Sequence, residues 1–109
     1  MMESVLDRGD TLPSLGVQTV MVVDDSTLQR THAVQLCKTL GATLVYEACN
    51  GQEALAQLGM LHLLPDVLLV DLHMPVMDGI ELIGHLHQRG VRIPVLVVSS
   101  QHQDIMEAV

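Results

Sequence analysis

The feature that most constrains this chain is an alternation. Four short runs of β-branched and aliphatic residues, at 17–23, 43–48, 67–70 and 95–98, are separated by stretches in which apolar residues recur at helical spacing. Runs without polar interruption, such as VMVV and VLLV, suit strands covered on both faces. Strands alternating with helices predict a parallel sheet, helices on both faces and right-handed crossovers. At 109 residues the chain can enclose one such core and not two.

Taken in order, β1 is expected over 17–23 and stops at Asp24-Asp25. Helix α1 follows between Ser26, a good N-cap, and Gly41, a natural C′ residue, with Ala33, Leu36, Cys37 and Leu40 as its apolar positions. Strand β2 is expected over 43–48, α2 over 52–58, and β3 over 67–70 behind Pro65. Ile80, Ile83 and Leu86 mark α3 before Gly90, β4 occupies 95–98 after Pro94, and α4 begins near Asp104. Residues 1–16 are polar and acidic without sustained periodicity and are read as a flexible leader to a domain over 17–109. The run Met60, Leu61, Leu63 and Leu64 is expected to pack on the core, and Cys37 and Cys49, without metal-ligand spacing, are expected to be small core residues.

Charge and composition narrow the function. Thirteen acidic residues against five basic ones give −8, which repels nucleic-acid backbones and anionic membranes, and a lone Tyr with no Trp or Phe offers no platform for stacking bases. Neither a signal-peptide pattern nor a span of roughly 20 apolar residues is present, so the cytoplasm is the expected compartment. The same negative charge favours a divalent cation.

In parallel α/β sheets ligands bind outside the carboxyl ends of the strands. Here β1 is followed by Asp24 and Asp25, β3 by Asp71, and β4 by Ser99 and Ser100. Carboxylates gathered in one crevice repel unless a cation sits among them. Mg²⁺ suits oxygen ligands and retains waters that a phosphate oxygen can replace; zinc suits this set less, because only His73 lies near. A carboxylate beside such a cation can attack a phosphoryl donor in line and form an acyl phosphate. Ser99 is placed to hydrogen-bond a phosphoryl oxygen.

The blocks VMVVDDS (20–26), EACNGQEAL (47–55), DVLLVDLHMPVMDG (66–79) and IPVLVVSS (93–100) resemble, in order and spacing, those of response-regulator receiver domains. The resemblance covers 18–109 and implies the flavodoxin-like fold, with strand order 2-1-3-4-5. It implies that Asp71 is the phosphoacceptor, that Asp25 and Asp24 hold Mg²⁺ with Asp71 and the backbone carbonyl of His73, and that Ser99 is the switch hydroxyl. Pro75 and Gly79 match the turn after the phosphoacceptor, and the side chains of His73 and Gln101 match positions that overhang the phosphoryl group. A sensor histidine kinase or a histidine phosphotransfer protein is the implied donor, and the module is not itself an enzyme beyond its own phosphorylation and dephosphorylation.

Two departures stand out. The family's fifth strand, with its phosphoryl-pairing Lys and aromatic switch residue, and its last helix have no match here; the one Lys, Lys38, falls in α1. The chain is therefore read as a piece of a longer regulator with sheet order 2-1-3-4, and its incomplete edge as a candidate homodimer contact. The segment LVVSSQHQDIMEAV and the acidic leader are similar to receivers joined to cyclic-di-GMP phosphodiesterase domains, which points to such an output domain, with a DNA-binding output or none as the open alternatives.

Rival readings are a phosphorylation-independent interaction or dimerisation module, and a Mg²⁺-dependent phosphohydrolase of the haloacid-dehalogenase type with Asp24 as nucleophile. The second wants Asp-x-Asp where this chain has Asp-Asp. His85 and His87, two apart on a helix, do not make an i,i+4 metal pair and are read as surface residues. Neither GxxxxGK[ST] nor GxGxxG follows β1, which excludes P-loop and dinucleotide readings.

Overall fold

The computed structural model describes residues 17–98. Four parallel strands, β1 (Thr19–Val23), β2 (Leu44–Ala48), β3 (Val67–Asp71) and β4 (Val95–Val98), form one sheet in the order β2-β1-β3-β4. Helices α1 (Thr27–Thr39), α2 (Gly51–Leu58) and α3 (Gly79–Gln88) make the crossovers. The expected leader 1–16 and the start of α4 near Asp104 lie outside the described residues.

The period of two along each strand divides the interior into two layers. Met21, Val23, Leu68 and Val70 point to the side closed by α2 and α3, where they meet Ala54, Leu55, Leu58, Leu82 and Leu86. Val20 and Val22 point to the opposite side, against Val34 of α1 and Ala42. β1 is covered on both sides, while β3 buries Leu68 and Val70 on one face and half-buries Val67 and Leu69 on the other, so neither run shows polar alternation.

Helix boundaries follow from side chains that satisfy orphan N–H groups. Ser26 Oγ accepts from the Gln29 N–H, and Asn50 Oδ1 accepts from the Glu53 N–H. At α3, Asp78 and Glu81 form a reciprocal capping box, so that this helix starts at Gly79, one residue before the apolar periodicity begins. Gly41 and Gly90 take positive φ just after α1 and α3, where a left-handed residue ends a helix at least cost.

Three sequence expectations are corrected. In α1 the inward stripe runs through Arg30, Ala33, Val34 and Cys37, while Leu36 and Leu40 are exposed on its outer flank. Cys49 is exposed, because it follows the last residue of β2 and so stands beyond the packed layer. Of the run between α2 and β3 only Leu61 packs against the core; Met60 and Leu63 are each 84% exposed. Pro65 is buried just before β3. Among the described residues no helix is long and apolar enough to cross a membrane.

Candidate functional site

Parallel register brings the acidic residues together. Val23 of β1 lies opposite Val70 of β3, so the next residue on each chain, Asp24 and Asp71, emerges side by side at the carboxyl end of the sheet. Asp25 follows at once. The three carboxylates each place an oxygen within 4.8 Å of the others. Asp71 is 1% and Asp24 6% exposed, whereas Asp25 is exposed.

Backbone groups fix these side chains. The Ser26 N–H donates to Asp24 Oδ1 at 2.9 Å, and the His73 N–H lies 3.3 Å from Asp71 Oδ1, which puts the His73 backbone beside the acceptor carboxylate. The Asp24 N–H donates to the Ala48 carbonyl of β2 at 3.0 Å. On the far side, the Leu72 N–H donates to the Val98 carbonyl at 2.7 Å, and Asp71 pairs with Val98 in the ladder. Ser99, Ser100 and Gln101, which follow Val98 in sequence, lie outside the described residues.

The loop from Asp71 to α3 is tightly constrained. A Cβ on Gly79 would come within 2.9 Å of the Asp71 carbonyl oxygen and 3.2 Å of Leu72 Cα, both backbone atoms that cannot yield cheaply. The Met77 N–H donates to the Pro75 carbonyl at 2.7 Å across Val76, whose φ of +69° is a strained value for a β-branched residue. Gly51 then ties this loop to α2, its N–H donating to the Met77 carbonyl at 3.2 Å.

Electrostatics explains what such a cluster asks for. Burial pushes the Asp24 carboxyl above the ordinary aspartate range; the Ser26 N–H opposes this, while the charges of Asp71 and Asp25 and a side-chain hydrogen bond with Asp71 add to it. A hard dication offsets this repulsion and takes oxygen ligands, so the three carboxylates fit Mg²⁺. The His73 side chain is exposed, His85 is half-buried and His87 exposed; among the described residues the three aspartates are the one acidic, His or Cys group with metal-binding geometry.

One residue of the site was not apparent in the sequence. Arg30, on the inward stripe of α1, donates from its guanidinium to the Asp24 carbonyl oxygen at 2.6 Å and to Glu47 Oε1 of β2 at 3.2 Å. Lys38, in the last turn of α1, is exposed.

Comparison with known proteins agrees with this architecture. Residues 20–109 match the response regulator receiver domain family. The chain is 39% identical over 82 residues to a protein-glutamate methylesterase/protein-glutamine glutaminase of Treponema denticola, covering 74% of this chain and 22% of that protein. It is 38% identical over 90 residues to the Regulator of RpoS of Escherichia coli K12, covering 83% of this chain and 26% of the relative. It thus spans about a quarter or less of these two relatives. Among solved structures, a complex of CheX with CheY, BeF3 and Mg²⁺ from Borrelia burgdorferi superposes with a TM-score of 0.72 at 24% identity, over 91% of this chain and 74% of that one, a likeness of fold. The receiver domain of a histidine kinase from Arabidopsis thaliana, complexed with Mg²⁺ and BeF3−, gives 0.64 at 27% identity over 84% and 75%.

Proposed function

Because this chain belongs to the response regulator receiver domain family of two-component signalling, we propose that it accepts a phosphoryl group on Asp71 from a sensor histidine kinase or a histidine phosphotransfer protein. The observation that carries this reading is the convergence of Asp24, Asp25 and Asp71 at adjacent strand tips, with oxygens within 4.8 Å. An oxygen of Asp71 attacks the phosphorus of a phosphohistidine; the P–O bond forms as the P–N bond breaks, and the departing imidazole keeps the electron pair and takes up a proton. Asp24 and Asp25, with Asp71 and the His73 carbonyl, would hold Mg²⁺, which would neutralise charge on the transferring group. The His73 N–H and the strand register hold the Asp71 carboxylate in place. Ser99 reports the phosphoryl group by hydrogen bonding to it.

The relatives are named for a methylesterase/glutaminase and for a regulator of RpoS, so the matched stretch is shared by proteins with different outputs. A cyclic-di-GMP phosphodiesterase output remains the proposal that the leader and the terminal segment support. Homodimerisation through β4 is supported by the exposed Leu96, Val97 and Val98 and by the lack of a second neighbour for β4 among the described residues. Light scattering at micromolar concentration tests it, a monomeric mass counting against.

Phosphorylation is tested by incubating the chain with acetyl phosphate and Mg²⁺, followed by intact-mass measurement. One phosphoryl adduct is expected on the wild type, none in EDTA and none on Asp71→Ala. Equal adducts on wild type and Asp71→Ala would overturn the assignment.

A further inference from the structure

We propose that Arg30 is a positioning residue for the acidic crevice, acting through the peptide bond that joins Asp24 to Asp25. This rests on the reading of the crevice as a divalent-cation site. Arg30 bonds the crevice through a backbone oxygen of Asp24 and pairs its charge with Glu47. Its Nη1 group donates to the Asp24 carbonyl oxygen at 2.6 Å while Nε donates to Glu47 Oε1 at 3.2 Å. The side chain is 17% exposed, so the fork is held in a largely dry position.

The consequence lies in which atoms are fixed. The Asp24 carbonyl and the Asp25 N–H belong to one planar unit. The Asp24 N–H is held by the Ala48 carbonyl and the Asp24 side chain by the Ser26 N–H. The Ser26 bond closes a ring that contains the Asp24–Asp25 peptide and so already restricts that plane, but neither bond holds its carbonyl oxygen. The bond from Arg30 fixes that oxygen and so completes the bracing of the peptide from which Asp25, the exposed carboxylate of the three, projects. Glu47, on the neighbouring strand β2, anchors the other arm of the guanidinium, and its own backbone carbonyl accepts from Gln57 Nε2 of α2 at 2.7 Å. The crevice is in this way braced from β2 as well as from β1 and β3.

Positioning and simple charge predict opposite signs. A guanidinium close to a cation site repels the incoming dication, so if charge alone mattered, Arg30→Gln would tighten metal binding and Arg30→Lys would leave it unchanged. If Arg30 orders the Asp24–Asp25 peptide, both variants weaken binding, because an ammonium cannot serve two acceptors in the planar fork geometry.

The experiment measures Mn²⁺ affinity of the full chain by electron paramagnetic resonance of the free ion. Wild type is compared with Arg30→Lys, Arg30→Gln, Glu47→Gln and the double variant Arg30→Gln/Glu47→Gln, each checked for folding by urea titration. Both Arg30 variants are expected to bind about tenfold more weakly, the scale of the entropy of ordering one backbone residue. Glu47→Gln is expected to weaken binding by less, and to add nothing once Arg30 is gone. Should Arg30→Gln fail to fold, Arg30→Lys and the exposed-site variant Glu47→Gln carry the test. Unchanged or tighter binding in the folded Arg30 variants overturns the inference alone. A wild type that binds no Mn²⁺ overturns the cation-site reading, and the role of Arg30 with it.

Discussion

Replacing Asp24 by Asn tests whether the crevice stores repulsion that a cation relieves. Two unit charges 4.8 Å apart, the greatest separation among these oxygens, repel by about 3.5 kcal/mol at an effective dielectric of about 20, and closer pairs repel more. Asp25 is exposed and therefore better screened, and the Ser26 N–H offsets part of the remainder. Asn keeps an oxygen for the Ser26 N–H and gains an amide donor towards Asp71, so shape and local hydrogen bonding are retained. The variant is expected to be about 1–2 kcal/mol more stable than wild type in EDTA at pH 7, a rise of about 5–15 °C in Tm for a domain of this size. Mg²⁺ in hundredfold excess over its dissociation constant should stabilise wild type by about 2.7 kcal/mol and the variant by much less. The sign with pH follows from the raised carboxyl of Asp24: the folded state holds its proton at pH values where the unfolded chain has lost it, so wild-type stability in EDTA falls as pH rises from the ordinary aspartate value through the raised one. Urea titration with and without Mg²⁺ measures all of this. Loss of stability in EDTA, or equal stabilisation by Mg²⁺, would refute the reasoning.

Other consequences are equally checkable. Gly79→Ala forces a Cβ to within 2.9 Å of the Asp71 carbonyl, so it should cost about 1–3 kcal/mol and slow phosphoryl uptake together, read by urea titration and intact mass. Val76→Gly removes a strained φ at a side chain that is 72% exposed, and should leave stability equal or raised by up to about 1 kcal/mol; a clear fall in Tm would show that Val76 is not strained. Leu82→Ala empties a fully buried position between α3 and the sheet and is expected to cost about 2–5 kcal/mol by the same titration. Asp66 accepts the Gln18 and Thr19 N–H groups, which hold its carboxyl below the ordinary range, so its contribution is complete above the ordinary aspartate value and is lost as pH falls through the lowered one. Asp66→Asn should accordingly flatten the acid limb of the stability profile.

The strands and the three aspartates at their tips were legible because each is written in local pattern, whereas the strand order came only from the resemblance to receiver domains. A doubly covered parallel strand excludes polar residues, and the abrupt stop at Asp24 or Asp71 marks the carboxyl end of the sheet, where the crevice lies. Features set by rotation or by contact across elements were not legible. Leu36 and Leu40 satisfy helical spacing as well as Arg30, Ala33, Val34 and Cys37 do, and only the placement of α1 over β1 selects the second stripe. Met60 and Leu63 look like core residues in composition, but the chain between α2 and β3 must cross the sheet's amino end, where nothing described covers them. Arg30 was invisible for a different reason: its partners are the Asp24 backbone and a glutamate 17 positions away, and neither leaves a motif. The conformation of Val76 was equally hidden, since a β-branched residue gives no warning of positive φ.

The most direct test of the central claim is to locate the phosphoryl group. After loading with acetyl phosphate and Mg²⁺, borohydride reduction converts an aspartyl phosphate into a stable alcohol whose position a proteolytic peptide map reads. Reduction at Asp71 alone is the result predicted from its place at the tip of β3. Reduction at Asp24 would instead indicate the phosphohydrolase chemistry, and a folded, Mg²⁺-binding chain with no reduced aspartate would contradict the assignment of Asp71 as acceptor.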